Sequence, residues 1–325
     1  MSRVLLPLVP FYAAAVGAKN LAYDRGRVTQ HRLNNPVISI GNLSTGGSGK
    51  TPLTIRLGEL LREQGIAVDV LSRGYGRQST RVQRVDPEGR AEEYGDEPLL
   101  IARSANIPVY VGPDRYAAGL LAESESPAPR LHLLDDGFQH RRLARDLDMV
   151  VLHSTDFATH LLPAGRLREP IASLSRAQIL VLREEDHGLE PQLRARGFHQ
   201  PIWWMSRRLD LPSCDRVIAF CAIARPDEFL SGLCARGVLV AAARAWRDHH
   251  RCSQRDIADL VELQRQHQAG AFLTTEKDLA RLTPEQRHSL ENAAPLHAAK
   301  LIVRLVDEPA AVARILALQP ALPRP

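Results

Sequence analysis

Apolar positions along the chain fall into short unbroken runs separated by stretches of helical spacing. Pro36-Val37-Ile38-Ser39-Ile40-Gly41 reads as a buried strand. In residues 51–64, Leu53, Leu57, Leu60 and Leu61 share one helical face, and Gly65 supplies the stop. Residues 66–71 form a second strand and close a β-loop-α-β unit. Further buried strands are predicted at 109–111, 131–134, 149–152 and 179–182, with helices at 97–105 and 115–123. Wholly apolar strands alternating with helices imply a parallel sheet covered on both faces.

Near residues 200–212 the pattern shifts to Ile202-Trp203-Trp204-Met205, which reads as an extended connector. A second series follows, with strands at 217–220, 238–240, 271–274 and 301–305 and helices at 226–234 and 253–268. The reading is α/β, with two α/β/α domains. Residues 1–210 form a P-loop NTPase-like parallel sheet, and residues 211–325 a smaller domain closing over the nucleotide.

Residues 4–18 are apolar, about fifteen positions against the roughly twenty that span a bilayer, with Pro7 and Pro10 inside. No cleavage site follows, which disfavours a signal peptide. Phe11, Tyr12, Lys19, Tyr23, Arg25 and Arg27 give the segment an aromatic and basic edge suited to a membrane surface. Pattern alone places a packed core helix slightly ahead of such an anchor.

Composition narrows the picture only a little. The formal charge is +5, which suits nucleic acid, an anionic membrane or a phosphorylated substrate without choosing among them. The four cysteines, Cys214, Cys221, Cys234 and Cys252, form no CxxC pair. They give neither a disulfide framework nor a zinc spacing, and reduced thiols in a cytosolic compartment fit best.

Candidate chemistry begins at Gly46-Gly47-Ser48-Gly49-Lys50-Thr51, between a strand and an amphipathic helix. Backbone N–H groups of such a turn point at phosphate oxygens, Lys50 reaches the β- and γ-phosphates, and the Thr51 hydroxyl binds Mg²⁺. The general pattern has glycine where this chain has Ser44. Asp135-Asp136, ending an apolar strand, supplies carboxylates for the metal, although a helix cap or a turn would use the same residues. Gly95-Asp96-Glu97-Pro98 reads as a helix N-cap, or as the source of a proton acceptor in Asp96. Asp248-His249-His250 is either a solvated surface or a carboxylate–imidazole pair tuned as a base. The Pro/Gly-rich segment 162–170 presents Arg168 and Glu169 for a charged ligand or for a salt bridge.

Thr275-Glu276-Lys277-Asp278 places its lysine one position too late for the guanine-reading NKxD of GTPases. Thr45 stands where a MinD-like ATPase carries a signature lysine, and no helicase motif is present. A small-molecule or lipid kinase remains. A membrane-recruited nucleotide switch and a kinase of another amphiphilic sugar are the alternatives.

The segment 41–52, Gly41-Asn42-Leu43-Ser44-Thr45-Gly46-Gly47-Ser48-Gly49-Lys50-Thr51-Pro52, resembles the loop of the tetraacyldisaccharide 4'-kinase family. The same motif order continues with Ser72-Arg73-Gly74-Tyr75-Gly76-Arg77, Gly95-Asp96-Glu97-Pro98 and Asp135-Asp136-Gly137-Phe138-Gln139-His140. It runs on through Leu162-Pro163-Ala164-Gly165, Arg168-Glu169-Pro170, Asp248-His249-His250 and Thr275-Glu276-Lys277-Asp278, and so covers nearly the whole chain. Ser44 is in keeping with this family. Ala222 and Arg225-Pro226 depart from its more usual Gly and Asn-Pro.

The resemblance implies Mg²⁺-dependent transfer of the ATP γ-phosphate to the 4'-hydroxyl of tetraacyldisaccharide 1-phosphate, forming lipid IVA in lipid A biosynthesis. It implies Asp96 as general base with His249 as its partner, and Lys50 and Thr51 on phosphate and metal. Asp135, Asp136, Gln139, His140 and Glu169 would line the Mg²⁺ and γ-phosphate site, with Arg168 and Tyr75 as nearby contacts. It also turns residues 4–18 into a helix at the inner leaflet. The chain is then peripheral, on the cytoplasmic face of the bacterial inner membrane, with a lipid substrate and neither nucleic acid nor an obligate protein partner.

Overall fold

A computed structural model describes residues 3–47, 49–126 and 128–317. After a six-residue 3-10 lead-in (Arg3–Leu8), helix α1 (Val9–Asp24) runs along the surface. Strand β1 (Val37–Asn42) and helix α2 (Lys50–Glu63) flank the glycine-rich loop. Next come β2 (Val68–Ser72), the two-residue β3 (Gln83–Arg84), and the helices α3 (Ala91–Tyr94) and α4 (Asp96–Ala105). Strand β4 (Val109–Val111), helix α5 (Arg115–Glu125), β5 (Leu131–Asp135), β6 (Leu147–Val151), β7 (Ile179–Arg183) and α6 (Leu189–Ala195) complete the first half.

The second half opens with β8 (Ile202–Asp210), β9 (Arg216–Cys221), α7 (Pro226–Ala235) and β10 (Leu239–Ala245). Helix α8 (Gln254–His267), β11 (Ala271–Thr275), α9 (Glu276–Arg281), α10 (Pro284–Glu291), β12 (Leu296–Leu305) and α11 (Glu308–Leu316) follow. Among the described residues all twelve strands join one sheet, in the order β10-β9-β11-β12-β8-β7-β6-β1-β5-β2-β4-β3. Pairings are parallel except β3 with β4 and β8 with β12. The fold is α/β with a predominantly parallel sheet, as the alternating pattern predicts.

The segment read as a connector is itself a strand. Trp203 and Trp204 of β8 pair with Val181 and Leu182 of β7, and residues 205–210 pair antiparallel with β12. Strand β12 is longer than its apolar run suggests because it serves two neighbours. Residues 296–299 pair with β11 and residues 300–305 with β8. The cores therefore do not divide at residue 210. Val303, Leu305, Val312 and Ile315 pack with Leu53, Leu57 and Val181 in the first half's core, while Ile218, Phe220, Phe272 and Leu290 form a separate one.

Helix α1 has no buried residue, so the preference for a core helix drawn from pattern alone is overturned. Residues 4–24 are long and apolar enough to cross a membrane by length and composition, and none of that stretch is buried. Its polar side chains face the protein. The Tyr12 hydroxyl donates to the Arg168 carbonyl, Asn20 donates to Glu169, and Arg141 donates to Asp24 while lying over the Tyr23 ring. Val4 and Phe11 are 85% and 75% exposed, an inverted amphipathic arrangement for a helix against a soluble body.

Candidate active site

Parallel strands carry their ligand-bearing loops at their C-terminal ends. Here the ends of β1 and β5 are adjacent, with Ile40 opposite Asp135. The glycine-rich loop and the Asp135-Asp136 pair therefore open into one cleft of about 1110 Å³. Gly46 and Gly49 have φ of +92° and +93°, where L side chains are strained. A Cβ on Gly46 would also lie 2.7 Å from Ala224 of the second half. Gly49 ends the loop in the left-handed conformation with no side-chain cap on α2, so the first-turn N–H groups are open to an anion.

Lys50 Nζ lies 3.5 Å from Asp136 Oδ1. Arg168 Nη1 donates to both Asp136 oxygens, at 3.0 and 2.8 Å, and to Gln139 Oε1 at 3.2 Å. Burial alone would raise the Asp136 carboxyl, but the Lys50 and Arg168 cations outweigh it and bring it down to about 2. Asp136 has φ +51°, a backbone strain of the kind that gathers at working sites. Arg168 is held in turn by backbone pairing, its N–H donating to the Leu43 carbonyl while Thr45 N–H donates to Arg166.

Asp135 behaves differently. It is buried beside Thr54 and Ser72. Burial, with the Glu97 and Asp136 charges, pushes its carboxyl up to about 7 against the opposing pull of Lys50 and Lys277. His140 is pushed down to about 3 by burial and by the Arg115 guanidinium, so it is a neutral imidazole near pH 7.

Across the cleft, the α9 segment of the second half meets α4 of the first. Lys277 donates to Glu97, and Arg281 Nε donates to Asp96 Oδ2 at 2.6 Å. His249 Nδ1 is 3.0 Å from the same Asp96 oxygen, and Tyr75 packs against its ring at 5.1 Å. Asp96 is the first residue of α4, whose N-cap is Gly95, and its side-chain oxygen is turned to Arg281 and His249. Burial would raise Asp96. The His249 hydrogen bond and Arg281 outweigh that and hold it below the ordinary carboxylate value.

Of the site residues expected from sequence, Gly46, Gly47, Gly49, Lys50 and Thr51 line the cleft. So do Tyr75, Asp135, Asp136, Gln139, His140, Arg168 and His249. Asp96 stands behind His249. Glu169 is not brought into the lining; its carboxylate is bound to Arg176 at 2.8 and 3.0 Å and to Asn20 at 2.7 Å. Ser48 lies outside the described residues. Sequence reading passed over Arg281, although its spacing of three from Asp278 on a helix puts the two on one face. It also passed over Arg115, for which no local signal exists, and Glu228, which lies three residues from Arg225.

The family model for tetraacyldisaccharide-1-P 4'-kinase (LpxK) matches residues 1–319. A tetraacyldisaccharide 4'-kinase of Koribacter versatilis is 44% identical over 322 residues, covering 95% of this chain and 97% of the relative. One from Geobacter metallireducens is 36% identical, covering 94% and 96%. A crystal structure of LpxK from Aquifex aeolicus, described as an "apo" form in complex with ATP, superposes with a TM-score of 0.76 at 31% identity. It covers 97% of this chain and 98% of its own. This chain belongs to the tetraacyldisaccharide-1-P 4'-kinase family and is an enzyme of that class, a kinase with an alcohol acceptor.

Proposed function

We propose that the cleft binds ATP with Mg²⁺ and delivers the γ-phosphate to the 4'-hydroxyl of tetraacyldisaccharide 1-phosphate, with the Asp96–His249 pair taking the hydroxyl proton. The observation that carries this reading is the joint approach of two groups of residues to one cleft. Lys50 and the glycine-rich loop come from the first half, while His249, backed by Asp96, closes the wall from the second. The acceptor oxygen forms a bond to phosphorus as its proton passes to the pair. The β–γ bridging bond breaks, and ADP leaves with the electron pair.

Lys50 and Arg168 are the cations for the phosphates, and Asp136 holds both in place. The donor set fits Mg²⁺. Thr51, Asp135 and Asp136 offer hard oxygens, and a carboxyl as short of positive charge as Asp135 is suited to a divalent cation. Bound there, Mg²⁺ supplies charge neutralisation at the phosphate oxygens. Glu169, tied to Arg176 and Asn20, supports the α1 contact rather than the metal.

The outward apolar face of α1, with its polar side docked on Arg168, Glu169 and Arg141, supports peripheral association with the cytoplasmic face of the inner membrane. A lipid acceptor would then enter the cleft from the bilayer, beside Lys19, which lines it. The test supplies ³²P-ATP, Mg²⁺ and the disaccharide 1-phosphate in detergent micelles. Labelled lipid product is expected, and intact nucleotide binding without it would sink the reading.

A further inference from the structure

The short helix α9 does more than close the second half. Arg281 is almost wholly buried and uses its entire guanidinium. Nε donates to Asp96 Oδ2 at 2.6 Å, and Nη1 donates to the Ala222 carbonyl and to Asp278 Oδ1, both at 2.8 Å. Its Nη2 lies 3.1 Å from His249 Nδ1. Asp278 in turn accepts from the Ala222 N–H and the Thr275 hydroxyl. The guanidinium is thus fixed on the second half while it grips a carboxylate of the first.

His249 Nδ1 therefore faces two groups with opposite demands. Asp96 Oδ2 can only accept a hydrogen bond, and Arg281 Nη2 can only donate one. A single ring nitrogen satisfies one of them. Asp96 Oδ2 is already served by Arg281 Nε, whereas Nη2 has no other acceptor among the described residues. Arg281 and Asp96 therefore bracket one atom of the imidazole, and the guanidinium ties the carboxylate of the first half to the ring of the second.

We propose that Arg281 is a positioning residue for the phosphotransfer, holding the Asp96 carboxylate and the His249 imidazole together across the two halves. This rests on the reading of that pair as the proton acceptor. The other charges near the pair are Asp248 at the imidazole edge and Glu97 next to Asp96 on α4, the latter neutralised by Lys277 and Lys50. The cation on the pair itself is Arg281, so removing it makes the Asp96 carboxylate easier to protonate.

The test compares Arg281→Met, Arg281→Lys and Asp278→Asn in the full chain in detergent micelles. Readouts are kcat, the pH dependence of kcat/KM, and Tm. Arg281→Met removes the cation and its bonds to both members of the pair. The acid limb should rise by about one pH unit, and kcat should fall on the order of tenfold or more. Arg281→Lys keeps the charge, so its limb should stay near wild type while kcat drops. Asp278→Asn loosens the same helix and should lower Tm without moving the limb. A wild-type limb and kcat in Arg281→Met, or an equal shift in Asp278→Asn, would overturn the proposal. Asp96→Asn separates the two claims, because wild-type turnover there defeats the proton-acceptor reading itself.

Discussion

The Lys50 ammonium and the Asp136 carboxylate stand 3.5 Å apart, and they come from the two motifs that most define this site. Arg168 binds the same carboxylate from a third loop. Asp136 is thus the common counter-ion of two cations aimed at one cleft. Lys50→Ala should lower kcat on the order of a thousandfold or more, since a preorganised charge at the transferring phosphoryl group is lost. The ³²P-transfer assay checks this, and near-normal turnover would show that the loop is not the active site.

Asp96→Asn should cut kcat by about 10²–10⁴, the usual worth of a positioned base, and leave nucleotide affinity nearly intact. Because asparagine keeps the shape and an oxygen to accept from Arg281, the stability change should stay within about 2 kcal/mol. Thermal melting alongside nucleotide titration measures both. A protein that chiefly unfolds would mark Asp96 as structural.

The exposed apolar face of α1 gives a membrane prediction. Phe11→Asp should reduce cosedimentation with anionic liposomes while leaving Tm unchanged, because Phe11 is 75% exposed and outside every core cluster. Tyr12→Phe, which removes the hydroxyl's bond to the Arg168 carbonyl, should instead weaken docking of the helix by about 1 kcal/mol. Unchanged liposome binding after residues 1–20 are deleted would contradict the anchor.

Glu228 on α7 is a second joint between the halves. It accepts from His153, Arg225, Arg183 of β7 and Arg207 of β8. Burial would raise its carboxyl, but the His153 hydrogen bond and the arginine charges hold it well below the ordinary 4.5. A folded pKa lower than the unfolded one gives stability that is full above about pH 4.5 and lost as pH falls through the depressed value. Glu228→Gln should therefore lower Tm at pH 7, and the gap to wild type should narrow on acidification below pH 4.5. A gap independent of pH would exclude the linkage.

Local pattern carried much of this protein. The run Val37 to Gly41, the Leu53–Leu57–Leu61 face and the glycine-rich turn are local signals, because strand burial, helix periodicity and positive φ are dictated by neighbours in sequence. Order of motifs along the chain was enough to reach the family. The role of Ile202-Trp203-Trp204-Met205 was not legible, since whether an apolar extended segment links or pairs depends on β7 and β12, which lie elsewhere in the chain. Nor was the side of α1 that faces the body. Its apolar composition fits burial and exposure equally, and the polar anchors Glu169 and Arg141 decide it from more than a hundred residues away. Arg281 shows the same divide within the site. Sequence places it on the face of Asp278, but only the folded chain brings it to Asp96 and His249, because hydrogen-bond demand between distant segments is set by the packing of the two halves.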